Sequence, residues 1–424
     1  MISERLNSFN KLSFFLFFFL IIFISRAIFL ELSLSKYPWF YEWQHLDYFL
    51  KIKDGDYSFL FSHALRNQFQ IFTKLIYIVF FNLSDFNWFS KIWTIIIQII
   101  PSLTLSIIIT SLFYGKIKSN WIYFLLIIFS IFPASISNFY HISESHFYFQ
   151  LLISILAFYV YGKFNGFKCF SLIIPLCIFS IFNMAAVSVI LFLTFSVFFF
   201  VKFLFERNKV DFFNGLIVLI LTMIYYFVCY NLKISSIYET SNIADSSIRR
   251  SLYLVFKGFF HQNNIILGVF LLITFSFCLF KNDRILINKL RNNYFLMLLI
   301  FYSFLVIISI SAGKVQIYDR YKDFFQIFGY ITLFLFLNLS FKKYINYFLR
   351  TLITVIVLYN SIFFFDKFLE MRSLTYDYDL SIDKAIKDYN DKAVLISEKN
   401  LHPKATRFPL LIMTATDNKL FLKN

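Results

Sequence analysis

The feature that most limits how this chain can fold is its first apolar run, residues 12–30 (LSFFLFFFLIIFISRAIFL), and the recurrence of runs like it as far as residue 365. About twenty residues of helix span roughly 30 Å, the thickness of a bilayer's hydrocarbon core. These runs are continuous and do not alternate in polarity, so they read as helical spans and not as the strands of an outer-membrane barrel. The first run is too long for a signal-peptide core and lacks a small-residue cleavage site, so it stays as a span.

Composition agrees. The 424 residues are 59% hydrophobic, 23% aromatic and only 15% charged, which places the chain among polytopic membrane proteins. Its 64 Phe residues reflect nucleotide bias as much as selection and do not mark a cofactor box. Cys169, Cys177, Cys229 and Cys278 lie in or beside apolar runs without zinc-ligand spacing or a disulfide framework. The net charge of +16 sits mostly in short inter-helix loops, as the positive-inside rule predicts, and so does not signal nucleic acid.

That rule threads the chain. With Arg5 and Lys11 in the cytoplasm, spans over 12–30, 93–113, 121–132, 149–161, 172–182, 187–201 and 213–230 are followed by four more, the last at 352–365. Lys116, Lys163, Lys168, Lys202, Arg207, Lys209, Lys281, Arg284, Lys342 and Lys343 then share one side. The expected fold is an all-α polytopic membrane protein of about eleven transmembrane helices in a bacterial cytoplasmic membrane, with its amino terminus inside and its carboxy terminus outside. A transmembrane domain, 1–365, carries outer loops at 35–90, 133–148, 233–264 and 313–323. A polar outer segment, 366–424, is too short for a large core of its own and reads as a small domain or a flap. Residues 71–83, an apolar run interrupted by Lys74, read as an interfacial or re-entrant helix of the first outer loop.

The outer loops collect the polar chemistry. The first holds Glu42, His45, Asp47, Asp54, Asp56, His63, Arg66 and Asn67; the second holds His141, Glu144 and His146. Later loops carry Arg249, Arg250, Lys314, Asp319, Arg320 and Lys322. Acids early and cations late suit transfer from a lipid phosphate: a carboxylate deprotonates an acceptor hydroxyl or orients a metal, and Arg or Lys stabilises the departing phosphate. Each group also has a plainer reading. Asp54-Gly55-Asp56 has acid-x-acid metal spacing, but Asp-Gly is an ordinary turn. His141, Glu144 and His146 share a helical face only in part and fit a hydrogen-bonded helix cap as well as a metal cluster. Arg320 and the Arg249-Arg250 pair can snorkel to headgroups. Arg26 lies inside the first span, where a charge needs a partner, a cavity or a route to the boundary.

The layout of one span, a large acidic outer loop, many further spans and an outer polar tail resembles the glycosyltransferase C superfamily, multi-span enzymes that use polyprenyl-phosphate sugars. Locally the chain is similar to bacterial members in which a first-loop acidic pair, here Glu42 and Asp47, precedes an Asn-Glu-His-Arg run and a Thr-Arg/Lys-Leu. Asn67, Thr73, Lys74 and Leu75 match, whereas Gln68, Phe69 and Gln70 replace the Glu, His and Arg. Gly313-Lys314 and Asp319-Arg320-Tyr321 are similar to a later Gly-Arg and Ser-Arg-Tyr pattern of that group. The resemblance implies sugar transfer from a polyprenyl-phosphate donor to a glycan or lipid-linked acceptor, by inverting displacement. Asp47 would be the base, and Arg320 would hold the leaving phosphate. A divalent cation, Mg or Mn, is the cofactor such a site would admit. A surface-polysaccharide polymerase using lipid-linked repeat units is the runner-up. A transporter or lipid flippase would need charges inside spans and internal repeats.

Overall fold

The computed structural model describes residues 10–33, 46–62, 69–83, 92–117, 120–132, 139, 145–231, 293–311, 322–338 and 343–392. Among them the chain is helical throughout, with no strand. In order the helices are α1 (Lys11–Ser33), α2 (Leu46–Lys53), α3 (Ile71–Leu83), α4 (Ile92–Phe113), α5 (Asn120–Ile131) and α6 (Ser145–Lys163). There follow α7 (Gly166–Ile181), α8 (Ala185–Glu206), α9 (Lys209–Asn231), α10 (Tyr294–Ser311), α11 (Lys322–Asn338) and α12 (Lys343–Lys392). Among the described residues five helices are long and apolar enough to cross a membrane: Lys11–Ser33, Ile96–Phe113, Val187–Glu206, Lys209–Asn231 and Tyr347–Leu380.

Helix α1 shows how sequence becomes a membrane surface. Leu12, Leu16, Leu20, Ile24, Ile28 and Leu32 recur every fourth residue and are all exposed. Phe14, Phe18, Ile22, Arg26 and Leu30 recur at the same interval and are buried. Residues four apart share a helical face, so one aliphatic stripe looks outward and an aromatic stripe packs inward. An exposed aliphatic stripe of this length is unfavourable in water and at home in hydrocarbon.

Close approach between neighbouring helices rests on small residues. A Cβ on Gly215 of α9 would lie 3.2 Å from the Phe200 ring of α8, and Ser196 Oγ donates to Gly215 O at 3.0 Å. The turn between these helices is made by Arg207, whose left-handed backbone (φ 56°) lets its N–H reach Phe203 O at 2.8 Å. Gly329 of α11 sits directly against the Phe129 ring of α5, with no room for a Cβ.

Cross-helix contacts give the bundle two unlike ends. One gathers cations: Lys11, Lys163, Lys168 and Lys202 all lie over Tyr or Phe rings, with Lys116 over Phe334 and Arg350 over Trp121. At the other, Gln98, Ser130 and Gln326 bridge helices with neutral groups.

Helix α12 is longer than the sequence reading implies, because residues 366–392, assigned there to a polar outer segment, continue the helix. Its 50 residues reach about 75 Å, more than twice the hydrocarbon thickness. The polar residues after Phe365 do not end it, and Lys367 and Glu370 pair one turn apart on its exposed side. The other side docks on the end of α1: Phe368 meets the Phe29 ring, and Thr375 Oγ donates to Ser33 O at 3.1 Å.

Candidate functional site: a buried arginine beside a folded first loop

The described part of the first outer loop is a small built unit. Helix α2 ends in a Schellman turn in which Gly55, at φ 73°, lets the Asp56 N–H reach Lys51 O at 2.8 Å and its own N–H reach Ile52 O at 3.1 Å. Asp56 then accepts the Ser58 N–H at 2.8 Å, opening the 3-10 turn Ser58–Phe61. Asp54-Gly55-Asp56 is thus a helix cap and a turn. Hydrogen bonds from the Ser58 hydroxyl and N–H hold the Asp56 carboxyl below the usual carboxylate range.

Lys74, the residue that interrupts the apolar run, locks this unit. Its buried ammonium donates to three carbonyls of the 3-10 turn, Phe59 O (2.7 Å), Leu60 O (3.3 Å) and Ser62 O (2.6 Å). Tyr48 of α2 stacks on Phe59 at 4.8 Å and leans on Tyr77 of α3. At 13 residues α3 spans about 20 Å, short of the hydrocarbon core. Its start is tied to the α7–α8 turn by the Ile71 N–H, which donates to Phe182 O at 3.1 Å. Asp47 lies on α2 beside Tyr48, in this docked unit.

On the same end of the bundle lies Arg26, wholly buried. It is about 10 Å, seven residues, below the end of α1. Its Nε donates to Gln98 Oε1 of α4 at 2.7 Å, and its Nη1 donates to Ser130 O of α5 at 3.2 Å. The guanidinium also stands 5.0 Å from the Phe139 ring and 5.9 Å from the Tyr148 ring. Each neighbour is fixed in turn. Gln98 Nε2 donates to Phe139 O at 3.0 Å, Ser130 Oγ shares a hydrogen bond with Tyr330 at 2.6 Å, and Gln326 Nε2 donates to Phe129 O at 2.7 Å.

Two features make this a site as well as a brace. Among the described residues no carboxylate pairs with Arg26, so a full positive charge is held by amides, carbonyls and aromatic faces. Its Nη2 carries no hydrogen bond, and neither does the buried hydroxyl of Ser102, one turn along α4 from Gln98. The unfilled Nη2 is a donor that an anion could take, and the planar fork of a guanidinium suits phosphate oxygens.

A second polar layer lies next to it. Gln150 Nε2 donates to Ser180 Oγ, which shares a hydrogen bond with Ser188 Oγ, both at 2.6 Å. Asn183 Nδ2 donates to His146 O at 2.7 Å, and Ser154 Oγ to the Tyr302 hydroxyl at 2.8 Å. His146 is buried in the first turn of α6, packed against Phe147.

Of the residues singled out from sequence, Asp47 is placed on α2, while Glu42, Asn67, His141, Glu144, Arg249, Arg250, Lys314, Arg320 and Tyr321 lie outside the described residues. Among the described residues no three His, Cys, Asp or Glu come together as a metal site. The sequence reading missed Gln98, Gln150 and Gln326. Each is an amide within an apolar helix, and that isolation was the available signal. Comparison with known proteins finds no matching family model, no matching curated sequence and no matching solved structure.

Proposed function

We propose that this chain is a membrane-embedded glycosyltransferase that moves a sugar from a polyprenyl-phosphate donor to a glycan or lipid-linked acceptor, on the outer side of a bacterial cytoplasmic membrane. The observation that carries the reading is Arg26: a guanidinium within the bundle, without a described carboxylate, on the same end as the folded first loop. In this reading the polar end is the outer face, the cation-rich end is cytoplasmic, and the topology is the eleven-span one.

The chemistry divides between two groups. Asp47 takes the proton of an acceptor hydroxyl, whose oxygen attacks the anomeric carbon. The bond from that carbon to the phosphate oxygen breaks, and its electron pair stays on the phosphate. The leaving phosphate gains negative charge, which Arg26 stabilises from within the bundle and Arg320 from the loop.

Sugar transfer in membranes carrying Asp47→Asn or Arg320→Ala, at matched protein level, tests the assignment. Each variant is expected to lose about 100-fold or more of the rate. Full transfer by both would overturn it. Products that grow by whole repeat units would move the chain to the polymerase reading.

A further inference from the structure

The cation-rich end holds a feature that sugar transfer does not use. A groove of about 390 Å³ opens between α1, α4 and α6, with an apolar floor of Leu12, Phe15, Ile107 and Leu156. Lys11 and Tyr159 stand at its rim. Thr110 also lines it, and its buried hydroxyl has no hydrogen-bond partner.

From Tyr159 at the rim the charge continues past the groove, to Lys163 and Lys168, which do not line it. Lys11 Nζ lies 5.0 Å and Lys163 Nζ 5.7 Å from the centre of the Tyr159 ring. Lys163 and Lys168 share the Phe164 ring in turn, at 5.6 Å and 4.8 Å. Three ammonium groups are thereby strung along two aromatic rings, and none pairs with a described carboxylate. Like charges on one ring repel, and an anion between them relieves that repulsion.

We propose that this groove is a binding site for an anionic phospholipid of the adjacent leaflet. One acyl chain lies along Leu12, Phe15, Ile107 and Leu156, and the headgroup phosphate sits between Lys11 and Lys163. The charge at the rim selects the headgroup, and the volume falls in the range of small-ligand sites. Because the groove lies at the end opposite Arg26, this inference stands apart from the proposed transferase activity.

Native mass spectrometry of the delipidated full chain, titrated with phosphatidylglycerol, phosphatidylcholine or inorganic phosphate, tests it. Phosphatidylglycerol is expected to be retained over phosphatidylcholine, with the double variant Lys11→Gln/Lys163→Gln binding it roughly twentyfold more weakly. Ile107→Trp, which fills the floor and leaves the rim charges, is expected to weaken phosphatidylglycerol binding as well. Equal retention of the two lipids by the wild-type chain would overturn the proposal. So would undiminished binding by both variants, or full competition by inorganic phosphate, which would mark a headgroup contact without a groove.

Discussion

Arg26 and Gln98, 72 residues apart in sequence, meet through a 2.7 Å hydrogen bond from Nε to Oε1 in the interior of the bundle. The amide does what a carboxylate would do for geometry without cancelling the charge. It orients the guanidinium, and its own Nε2 is held by Phe139 O at 3.0 Å. The positive charge therefore stays unneutralised by any described carboxylate.

Gln98→Leu leaves a buried charged donor without its acceptor, and is expected to destabilise the folded protein by about 2–3 kcal/mol in detergent unfolding. Adding Arg26→Met removes the stranded charge, so the double variant recovers stability relative to Gln98→Leu. A coupling of about 1–3 kcal/mol is expected from the cycle. A value near zero would mean that the pair does not form.

Lys74→Met removes the donor to Phe59 O, Leu60 O and Ser62 O, leaving Phe59 O to the Ser62 N–H and hydroxyl and the other two carbonyls without a described partner. The unit built from α2 and the 3-10 turn is expected to open, exposing Lys51 and Lys53 to trypsin at a rate at least tenfold above wild type, with the rest of the bundle intact. Equal cleavage of the two proteins would show that the loop is held by its ring contacts alone.

Gly329→Ala drives a methyl into the Phe129 ring and is expected to cost about 1–3 kcal/mol by forcing α5 and α11 apart. Phe129→Leu in the same chain opens space and should return part of that loss. Thermal unfolding of the single and double variants reads both effects, and an unaffected single variant would contradict the packing.

The contact of Thr375 with Ser33 places the continuation of α12 beside the end of α1. Cysteines at both positions are expected to cross-link under mild oxidation, whereas one at 33 and one at 383 should not. Cross-linking only of the second pair would show that α12 does not follow this course.

Much of the fold was legible locally. The first span, the turn at Asp54-Gly55 and the cost of Arg26 inside a span all follow from nearest neighbours along the chain. The site around Arg26 was not. Its acceptors come from α4 and α5, and helical periodicity within α1 says which face Arg26 shares but not which amide meets it. Lys74 was read as a break in an apolar run, yet its reason is tertiary, since its acceptors lie 12 to 15 residues upstream. The length of α12 was hidden because a polar stretch after Phe365 looks the same whether it ends a helix or lines its exposed side.

In the proposed reaction Arg26 receives the lipid phosphate. The direct measurement is binding of polyprenyl phosphate, against neutral polyprenol, to the full chain and to Arg26→Gln in lipid nanodiscs. The wild-type chain is predicted to prefer the phosphate and Arg26→Gln to bind it at least about thirtyfold more weakly, with polyprenol binding alike to both. Equal affinity of the two proteins for polyprenyl phosphate would contradict the claim.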